Sequence, residues 1–458
     1  MSEKREQLSS RIGFILLAAG CAIGLGNIWR FPYIVGENGG GFFVLLYLGC
    51  LALLGFPILL LELSVGRAGR STFPGAFKNL KNKSTKFRWE VPVYVLFAGN
   101  MILLMFYTVL TGWLLAYMIS FVMGDPKVLE GNYFSDLLAS PHLQIYYLLI
   151  VLILTVGICI GGVQKRIEKV IKYMMGGLFL LLLILVVKAN LLEGSSNGLK
   201  FFLTPNWSNF VKNNPWSTIY DAMTQAFFTL SIGIGSIAIC GSYTSKERTL
   251  VSEGSWIIIL DTLVAFCAGL IIFPACFAFG VKPEAGPSLI FITLPKVFTN
   301  MSGGFFWGAL FFLFLFVAAL STLVAVFENI IAFGIDELKW SRKKSSGIFC
   351  VILAILSLPC IFGFNLWKNF HPLGGNSTIL DLEDFIVSMN LLPLGALYVC
   401  IFCLSRYGWG KENCLAEINE GKGLRVSRKV FTCATFFLPV FIFGIWLIGI
   451  INQFFGAA

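Results

Sequence analysis

The stretch Gly20-Cys-Ala-Ile-Gly-Leu-Gly-Asn27 interrupts the first apolar segment of the chain, which covers residues 12–36. Closely spaced glycines lower the stability of a helix, because glycine loses more conformational freedom on folding than any other residue. One interpretation is a packing face of small residues, here Gly20 and Gly24, against a neighbouring membrane helix. The other is a break in the helix, which is tolerated in a membrane only where the freed backbone groups face protein, an ion or a ligand.

A similar pattern occurs in the sixth apolar segment, where residues 228–236 read Phe-Thr-Leu-Ser-Ile-Gly-Ile-Gly-Ser. Each glycine cluster thus lies in the first of five consecutive apolar segments, and a polar side chain is adjacent to each cluster. An odd number of crossings in a repeat inverts the second copy relative to the first. Inverted repeats with interrupted leading helices are typical of secondary transporters, whose substrate and coupling ions bind at the breaks. The repetition therefore favours two breaks over a packing face.

The composition requires a membrane protein. Of 458 residues, 57% are apolar and 13% are charged, with a mean hydropathy of +0.82, whereas soluble domains average about 45–50% apolar and about 25% charged residues. This excludes a soluble enzyme, and the apolar segments are long enough to cross about 30 Å of hydrocarbon as helices. We predict eleven crossings, at residues 12–36, 41–63, 91–123, 144–162, 168–189, 216–242, 255–280, 305–338, 347–364, 384–405 and 430–453.

The predicted fold class is an all-α membrane protein with eleven transmembrane helices. Helices 1–5 and 6–10 form two inverted five-helix repeats, and helices 1 and 6 are unwound. A single transmembrane transporter domain covers 1–458, with the first repeat at 12–189, the inverted second repeat at 216–405 and an additional eleventh helix at 430–453. The connection 281–304 carries enough apolar residues that we expect it to fold back as a lid.

The charged residues predict the orientation. The formal net charge is +10, and most of the 34 Lys and Arg fall in alternate connections. Because basic residues concentrate on the cytoplasmic side, we predict a cytoplasmic N-terminus and an extracytoplasmic C-terminus in a plasma membrane. The basic excess then reflects topology and contact with lipid headgroups, so we expect no nucleic-acid partner, while a homo-oligomer stays open. The two histidines, His142 and His371, fall in predicted outer loops and give no basis for metal or histidine catalysis.

Two motifs indicate a family. Residues 11–33 read Arg-Ile-Gly-Phe-Ile-Leu-Leu-Ala-Ala-Gly-Cys-Ala-Ile-Gly-Leu-Gly-Asn-Ile-Trp-Arg-Phe-Pro-Tyr and closely resemble the opening of the neurotransmitter:sodium symporters. Residues 226–235 resemble the sixth helix of the same family. The chain is similar to the bacterial leucine and hydrophobic amino-acid symporters. The resemblance implies a sodium-coupled importer that works by alternating access, with no enzymatic activity.

The resemblance also implies two sodium sites. Sodium is a hard cation that prefers several oxygen ligands, and an unwound helix supplies them as free carbonyls. Besides the substrate carboxylate, the first site would use Ala22, Asn27, Thr229 and Asp261. The second site would use Gly20, Ile23, Ala318, Ser321 and Thr322. Without the resemblance, the two hydroxyls are equally well interpreted as bonding to preceding carbonyls of their own helix.

Asp261 lies within an apolar segment, where a carboxylate indicates a functional site. Family members that need chloride have a neutral residue at this position and place the anion near residues that are present here as Tyr47, Gln225 and Thr229. Another bacterial pattern has the carboxylate one helical turn later, where this chain has Ala265. Because Asp261 can supply the negative charge itself, we predict transport that is independent of chloride.

Gly24 indicates the class of substrate. Monoamine carriers of the family have an aspartate here, whereas amino-acid carriers have glycine because the substrate brings its own carboxylate. That carboxylate would bind Leu25, Gly26 and the Tyr107 hydroxyl, since helix N-terminal ends favour anions, although a tyrosine in an apolar segment also serves for packing. The amine would lie near Ala22, Phe228, Thr229 and Ser231. The side chain would lie among Leu103, Phe228, Ile234, Thr322 and Val326. This lining carries no charge and predicts a neutral hydrophobic or aromatic amino acid.

Alternating access needs a gate at each end. By resemblance, the outer gate would pair Arg30 with Asp384. The inner gate would involve Arg5, Asp336, Ser242 and Tyr243. Leu8 replaces the tryptophan usual at the inner gate, so we expect that seal to be weaker or built differently. The alternative for Arg5 and Asp336 is a pair of solvated loop charges.

Other functions stay open from the residues alone. An intramembrane protease also places polar residues in its spans, but the sequence shows no serine–histidine pair and no second aspartate facing Asp261. A sodium channel would share the ion ligands and would conduct sodium without an amino acid. Within the transporter class, proton coupling through Asp261 or Glu328 competes with sodium coupling. A further acid, Glu62, resembles a buried family acid near the first sodium site.

Overall fold

The computed structural model of the chain describes residues 8, 10–129, 131–212, 214–280, 289–299 and 301–455. Regular structure in these ranges is helical, apart from an isolated parallel bridge between Arg248 and Lys422. The α-helices before residue 214 are α1 (Arg11–Ala22), α2 (Phe31–Glu37), α3 (Gly41–Cys50), α4 (Phe56–Gly69), α5 (Phe73–Leu80), α6 (Glu90–Met123), α7 (Tyr133–Ala139), α8 (Pro141–Cys159), α9 (Glu168–Asn190), α10 (Ser195–Leu203) and α11 (Trp207–Lys212).

The α-helices after residue 214 are α12 (Pro215–Thr229), α13 (Ser236–Ser242), α14 (Leu250–Ala278), α15 (Leu294–Thr299), α16 (Gly304–Asp336), α17 (Arg342–Leu356), α18 (Leu358–Phe362), α19 (Ile379–Asp384), α20 (Leu392–Leu404), α21 (Lys411–Ile418) and α22 (Arg428–Phe455). Wider π-helical turns lie at Gly26–Arg30, Leu51–Gly55, Val163–Ile167, Leu289–Thr293 and Phe385–Leu391, and a 3₁₀ turn lies at Pro126–Leu129. Several of these turns join neighbouring α-helices into one longer helix.

Nine continuous helices in the described ranges are long and apolar enough to cross a membrane: Gly41–Gly69, Glu90–Met123, Pro141–Cys159, Glu168–Asn190, Leu250–Ala278, Gly304–Asp336, Arg342–Phe362, Ile379–Leu404 and Arg428–Gln453. Arg11–Ala22 and Gly26–Glu37 qualify together as one broken span with a bend of 51°. The predicted sixth span is divided into α12 and α13, which are 15 and 7 residues long. α14 begins at Leu250, before the predicted start at 255, because the Thr249 side chain accepts a hydrogen bond from the Ser252 N–H and caps the helix.

The first break follows α1. Ile23 is extended, with φ −71° and ψ 104°, and the helix resumes with a π-helical turn at Gly26. Pro32 occupies the first turn of α2, where its missing N–H costs no helical hydrogen bond. The glycine cluster of the first segment is therefore the place where this helix unwinds.

The second break separates α12 from α13. Gly233 and Gly235 have φ angles of 99° and 88°, a left-handed conformation that glycine adopts without steric cost. Ser231 has a φ of 52°, which is uncommon for a residue with a side chain. The Ser231 hydroxyl donates to the Cys21 carbonyl at 3.1 Å. This hydrogen bond offsets the backbone strain at Ser231 and also connects the two breaks.

Two buried polar residues of neighbouring helices hold the second break. Glu62 of α4 accepts hydrogen bonds from the backbone N–H groups of Gly233 and Ala238, at 2.7 Å and 3.3 Å. Asn100 of α6 donates to the Ile234 carbonyl at 2.7 Å and accepts from the Ser236 hydroxyl at 2.6 Å. Backbone groups freed by unwinding thus find side-chain partners, as a break within a membrane requires.

The predicted lid lies partly outside the described residues, which exclude 281–288 and residue 300. Its described part, 289–299, packs through Phe291 against the outer half of α6. The Phe291 ring stacks on Phe134 at 4.8 Å, and the Tyr117 hydroxyl donates to the Phe291 carbonyl at 2.5 Å. This aromatic contact fixes the segment beside the helices that surround the two breaks.

Candidate functional site

Asp261 lies at the meeting point of the two breaks and is completely buried in α14. The Asn27 amide donates to a carboxylate oxygen of Asp261 at 2.8 Å and to its backbone carbonyl at 3.0 Å. The Thr229 hydroxyl lies 3.2 Å and 3.1 Å from the two carboxylate oxygens. The amide oxygen of Asn27 accepts from the Gly24 N–H at 3.1 Å. Three residues predicted for the first sodium site are therefore in direct contact.

The partners of Asp261 are neutral. Its carboxylate receives bonds from an amide and a hydroxyl, and no lysine or arginine pairs with it in the part of the chain that the structure describes. A buried carboxylate without a cationic partner is unfavourable in a membrane interior. The cluster is thus suited to a bound cation, and its side chains supply oxygen atoms, which sodium prefers.

A second group of oxygen atoms joins α1 to α16. The Thr322 hydroxyl lies 3.2 Å from the Gly20 carbonyl and 3.1 Å from the Ile23 carbonyl. The Ser321 hydroxyl lies 2.7 Å from the Ala318 carbonyl and 3.5 Å from the Ile23 carbonyl. Both sequence interpretations are thus present, since Ser321 bonds within its own helix while Thr322 reaches across to the first break. All five residues predicted for the second sodium site lie together.

A cavity lies between the two breaks. Its lining comprises Ala22, Gly26, Leu103, Tyr107, Phe228, Ser231, Ile234, Thr322 and Leu392. Val326, which was also predicted to line it, is buried elsewhere in α16, outside the described lining. Leu392 was missed, because a leucine in an apolar segment carries no sequence signal for a cavity.

The first break presents backbone groups to this cavity. The Leu25 N–H donates to the Tyr107 hydroxyl at 2.7 Å, so Tyr107 contacts the break directly. A Cβ atom at Gly24 would overlap the hydroxyls of Tyr107 and Thr322, and one at Gly26 would lie 2.8 Å from the Phe228 ring. Glycine is required at both positions by close approach of neighbouring side chains.

Arg30 lies against Phe228, which lines the cavity. Its guanidinium lies 4.7 Å from the centre of the Phe228 ring and 3.7 Å from the Asp384 carboxylate. It also donates to the Gln225 side chain at 3.4 Å, and the Gln225 amide donates to the Gly26 carbonyl at 2.7 Å. The predicted outer pair is thus in place, and Gln225 couples it to the first break.

The inner end agrees only partly with the predicted arrangement. Arg5 lies outside the described residues. The Asp336 carboxylate accepts from the Thr72 N–H at 3.1 Å, and the Ser242 hydroxyl bonds to the Ile239 carbonyl of its own helix at 2.6 Å. The Leu8 N–H donates to the Tyr243 carbonyl at 3.2 Å. This backbone contact holds the chain before α1 at position 8, where leucine replaces the usual tryptophan of the family.

A buried ion pair at the inner end was not predicted. Arg342 binds both carboxylate oxygens of Glu328, at 2.7 Å and 2.8 Å, and the Tyr243 hydroxyl donates to the same carboxylate at 2.9 Å. Glu328 is 2% exposed. In the sequence, Arg342 belongs to a group of basic residues in a connection predicted to be cytoplasmic, and nothing distinguishes it from its neighbours.

Comparison with known proteins identifies the family. The sequence profile described as the Sodium:neurotransmitter symporter family matches residues 5–126 and 135–455. The chain belongs to this family. The symporters of the family are transporters, not enzymes, and a multi-pass membrane location follows for this chain from the same membership and from its apolar helices.

Two bacterial relatives support sodium dependence of this symporter. The chain is 35% identical over 453 residues to an uncharacterized sodium-dependent transporter of Bacillus subtilis (strain 168), covering 96% of each protein. It is 34% identical over 417 residues to an uncharacterized sodium-dependent transporter of Haemophilus influenzae, covering 88% of this chain and 89% of the relative. These relatives match nearly the whole symporter.

A solved structure is also similar to this symporter. The crystal structure of MhsT in complex with L-phenylalanine aligns with a TM-score of 0.87 and 37% sequence identity. The alignment covers 97% of this chain and 100% of MhsT. The all-helical fold of the symporter is therefore that of a solved relative.

Proposed function

We propose that this symporter imports neutral hydrophobic or aromatic L-amino acids together with two sodium ions, without a need for chloride. The observation that carries the proposal is the completely buried Asp261, bound only by neutral donors beside an uncharged cavity. L-phenylalanine in the crystal structure of MhsT supports the substrate class.

The first sodium ion binds where the two broken helices meet Asp261. The carboxylate supplies the negative charge, and the oxygens of Asn27, Thr229 and Ala22 supply neutral ligands. In the described structure Asn27 and Thr229 already contact this carboxylate, so few side chains need to rearrange. The carboxylate of the substrate completes the site, which makes binding of the amino acid and of sodium mutually dependent.

The second sodium ion binds between α1 and α16. Its ligands are the carbonyls of Gly20, Ile23 and Ala318 and the hydroxyls of Ser321 and Thr322. Each of the two hydroxyls lies 2.7–3.5 Å from two of these carbonyl oxygens. Binding of sodium would replace hydroxyl-to-carbonyl hydrogen bonds with ion–oxygen contacts and would fix the position of α1 against α16.

The amino acid binds in the cavity between the breaks. Its carboxylate accepts hydrogen bonds from the Tyr107 hydroxyl and from the backbone N–H groups of Leu25 and Gly26 at the first break. Free N–H groups at the start of a helix favour an anion in this way. Its amine binds near the carbonyls of Ala22, Phe228 and Thr229 and near Ser231. Its side chain contacts Leu103, Phe228, Ile234, Thr322 and Leu392, which line the cavity. Val326 is buried in α16 outside this lining. A charged side chain would be buried there without a partner.

The whole chain forms one transport domain. We propose eleven crossings, with repeats at 12–189 and 216–405 related by inversion and an additional helix at 430–453. The contact between the two breaks, through Ser231 and Cys21, is what two inverted leading helices produce when they meet at the membrane midplane. The N-terminus is cytoplasmic and the C-terminus extracytoplasmic.

Gates close the cavity at both ends. Arg30 and Asp384 form the outer gate above Phe228. At the inner end, the Glu328–Arg342 pair with Tyr243 links α16 and α17 to the residues that follow α13. We propose that this ion pair contributes to the inner seal beside Arg5 and Asp336, and that it compensates for the leucine at position 8.

Glu328→Gln is expected to weaken binding of the amino acid about 10-fold at saturating sodium. The variant removes the anionic partner of Arg342, whose side chain is 19% exposed, and this loss destabilises the state with a closed inner end. The double variant Glu328→Gln/Arg342→Gln should recover part of the loss, because it removes the charge of Arg342 as well. Equilibrium binding of labelled phenylalanine measures the effect.

The matched control for this ion pair is Glu412→Gln. Glu412 pairs with Arg428 at 2.8 Å, but both side chains are more than half exposed, so the variant should bind like the unmodified protein. Equal binding by the Glu328 and Glu412 variants would contradict a role of the Glu328–Arg342 pair in the inner seal.

Replacing chloride with gluconate is expected to leave the initial rate of sodium-driven uptake unchanged. Asp261 supplies a fixed negative charge beside Thr229, and the Gln225 amide is already bonded to the Gly26 carbonyl. Uptake into vesicles at equal sodium concentrations checks the prediction, with replacement of sodium by potassium as the positive control. Loss of uptake in gluconate would show that an anion is required.

The substrate class is tested by competition. Unlabelled leucine, tyrosine and tryptophan should displace labelled phenylalanine, whereas lysine and glutamate should not. Displacement by a charged amino acid at similar concentrations would contradict the uncharged cavity as the determinant of specificity.

A further inference from the structure

Glu383 is a buried acid that the proposed transport site does not use. It lies in α19 immediately before Asp384 of the outer gate, and it is 4% exposed. Neither of its carboxyl oxygens has a hydrogen-bond partner among the residues that the structure describes, although both are inaccessible to solvent. Buried carboxyl groups are normally hydrogen-bonded or paired, so this one requires an explanation.

In the part of the chain that the structure describes, no cationic side chain pairs with Glu383. α19 packs against α6, α18 and the π-helical turn Phe385–Leu391. From α18, the Cys360 thiol lies beside the carboxyl without the geometry of a hydrogen bond. The outer half of α6 carries Tyr107 and Tyr117, whose hydroxyls bond to Leu25 and Phe291, and the π-helical turn carries no titratable residue. The other acids of α19, Asp381 and Asp384, are negative. Arg30 pairs with Asp384 at 3.7 Å, and no ion pair joins Arg30 to Glu383 among the described residues.

An ionised carboxylate is strongly disfavoured in such surroundings. Its charge would be desolvated and would receive no compensating hydrogen bond. A sodium ion would need several oxygen ligands, whereas the nearest polar neighbour from another helix is a thiol. A proton needs only one carboxyl oxygen and leaves a neutral group, which matches the apolar environment.

We propose that Glu383 is a proton-binding site, which is filled while the outer gate is closed and empties when the gate opens. This inference rests on the proposed outer gate. Asp384 lies 3.7 Å from Arg30, and Glu383 is the preceding residue of the same helix. When Arg30 and Asp384 separate, Glu383 therefore moves together with Asp384. Water then reaches the carboxyl, the O–H bond breaks, and the proton enters the outer solution. Closure reverses these steps and consumes an external proton.

Infrared spectroscopy of the full chain in lipid nanodiscs tests the bound proton directly. At neutral pH, with sodium and phenylalanine present, a carbonyl stretch of a protonated carboxyl is expected and should be absent in Glu383→Gln. Glu193→Gln, which removes an exposed acid of an outer connection, should retain the band. An unchanged band in Glu383→Gln overturns the proposal. If that variant does not fold, Cys360→Ala should shift the band by changing the neighbouring polar group, and an unmoved band overturns the assignment.

Uptake at varied external pH tests the link to the gate. The rate in the unmodified protein should fall as external pH rises, because closure requires a proton, while Glu383→Gln should transport at a rate that does not vary with pH over the same range. The same pH dependence in both proteins overturns the coupling. A failure of the proposed function is distinguishable, because it would abolish uptake in every variant at every pH and leave the infrared band of the closed protein in place.

Discussion

Asp261→Ala is expected to abolish sodium-driven accumulation of the amino acid. The variant removes the carboxylate that Asn27 and Thr229 contact, and with it the negative charge that balances a cation in the membrane interior. Removing one partner of a buried charge pair costs about 3–5 kcal/mol, which corresponds to an affinity loss of about 10²- to 4 × 10³-fold. The apparent affinity for sodium, measured by the sodium dependence of phenylalanine binding, should fall by this amount.

The neighbouring residue provides a matched control. Thr262 lies next to Asp261 on the same helix, and its hydroxyl is buried without a hydrogen-bond partner in the described structure. Thr262→Ala should therefore bind sodium like the unmodified protein. A similar loss in both variants would mean that the helix, and not the carboxylate, is responsible.

Gly24→Ala is expected to weaken binding of the amino acid about 10- to 100-fold. The added methyl group would overlap the Tyr107 and Thr322 hydroxyls, which form the wall of the cavity. Inserting a methyl group into a packed site costs about 1–3 kcal/mol, and here it also displaces the Tyr107 hydroxyl from the Leu25 N–H. The loss should appear in the dissociation constant of labelled phenylalanine at saturating sodium.

Two comparisons separate this steric effect from a general loss of stability. Gly176 lies in α9 with open space where its Cβ would be, so Gly176→Ala should leave binding unchanged. Tyr107→Phe removes the hydroxyl without adding volume and should cost about 1.5–3 kcal/mol if that hydroxyl binds a substrate carboxylate. Unchanged binding in Gly24→Ala would contradict the location of the substrate beside the first break.

Local sequence indicated where the breaks lie. Closely spaced glycines lower helix stability but do not always break a helix, since α9 continues through Gly176 and Gly177. The recurrence of glycines beside polar groups in residues 20–27 and 228–236 favoured unwinding, which the structure has after Ala22 and after Thr229. The ion ligands were predicted from the family resemblance, because the resemblance indicates which residues of distant segments bind the same ion. A single sequence shows that Thr322 has a hydroxyl but not that the hydroxyl faces the Gly20 carbonyl.

Interactions between helices were missed where no local pattern marks them. Asn100 binds the sixth-helix break and Arg342 binds Glu328, yet each pairing depends on how distant segments pack. Leu392 lines the cavity because the π-helical turn before it sets the orientation of α20. Glu62, expected near the first sodium site from the family resemblance, bonds to the N–H groups of Gly233 and Ala238 and so holds the second break, a role that its own sequence context does not indicate.

The most direct test of the account is uptake of labelled phenylalanine into proteoliposomes under an inward sodium gradient. Sodium should drive accumulation that equimolar potassium does not support, and Asn27→Ala and Ser321→Ala, one from each proposed ion site, should each abolish it. Accumulation driven by an inward proton gradient in the absence of sodium would contradict the account and would make Asp261 a proton carrier.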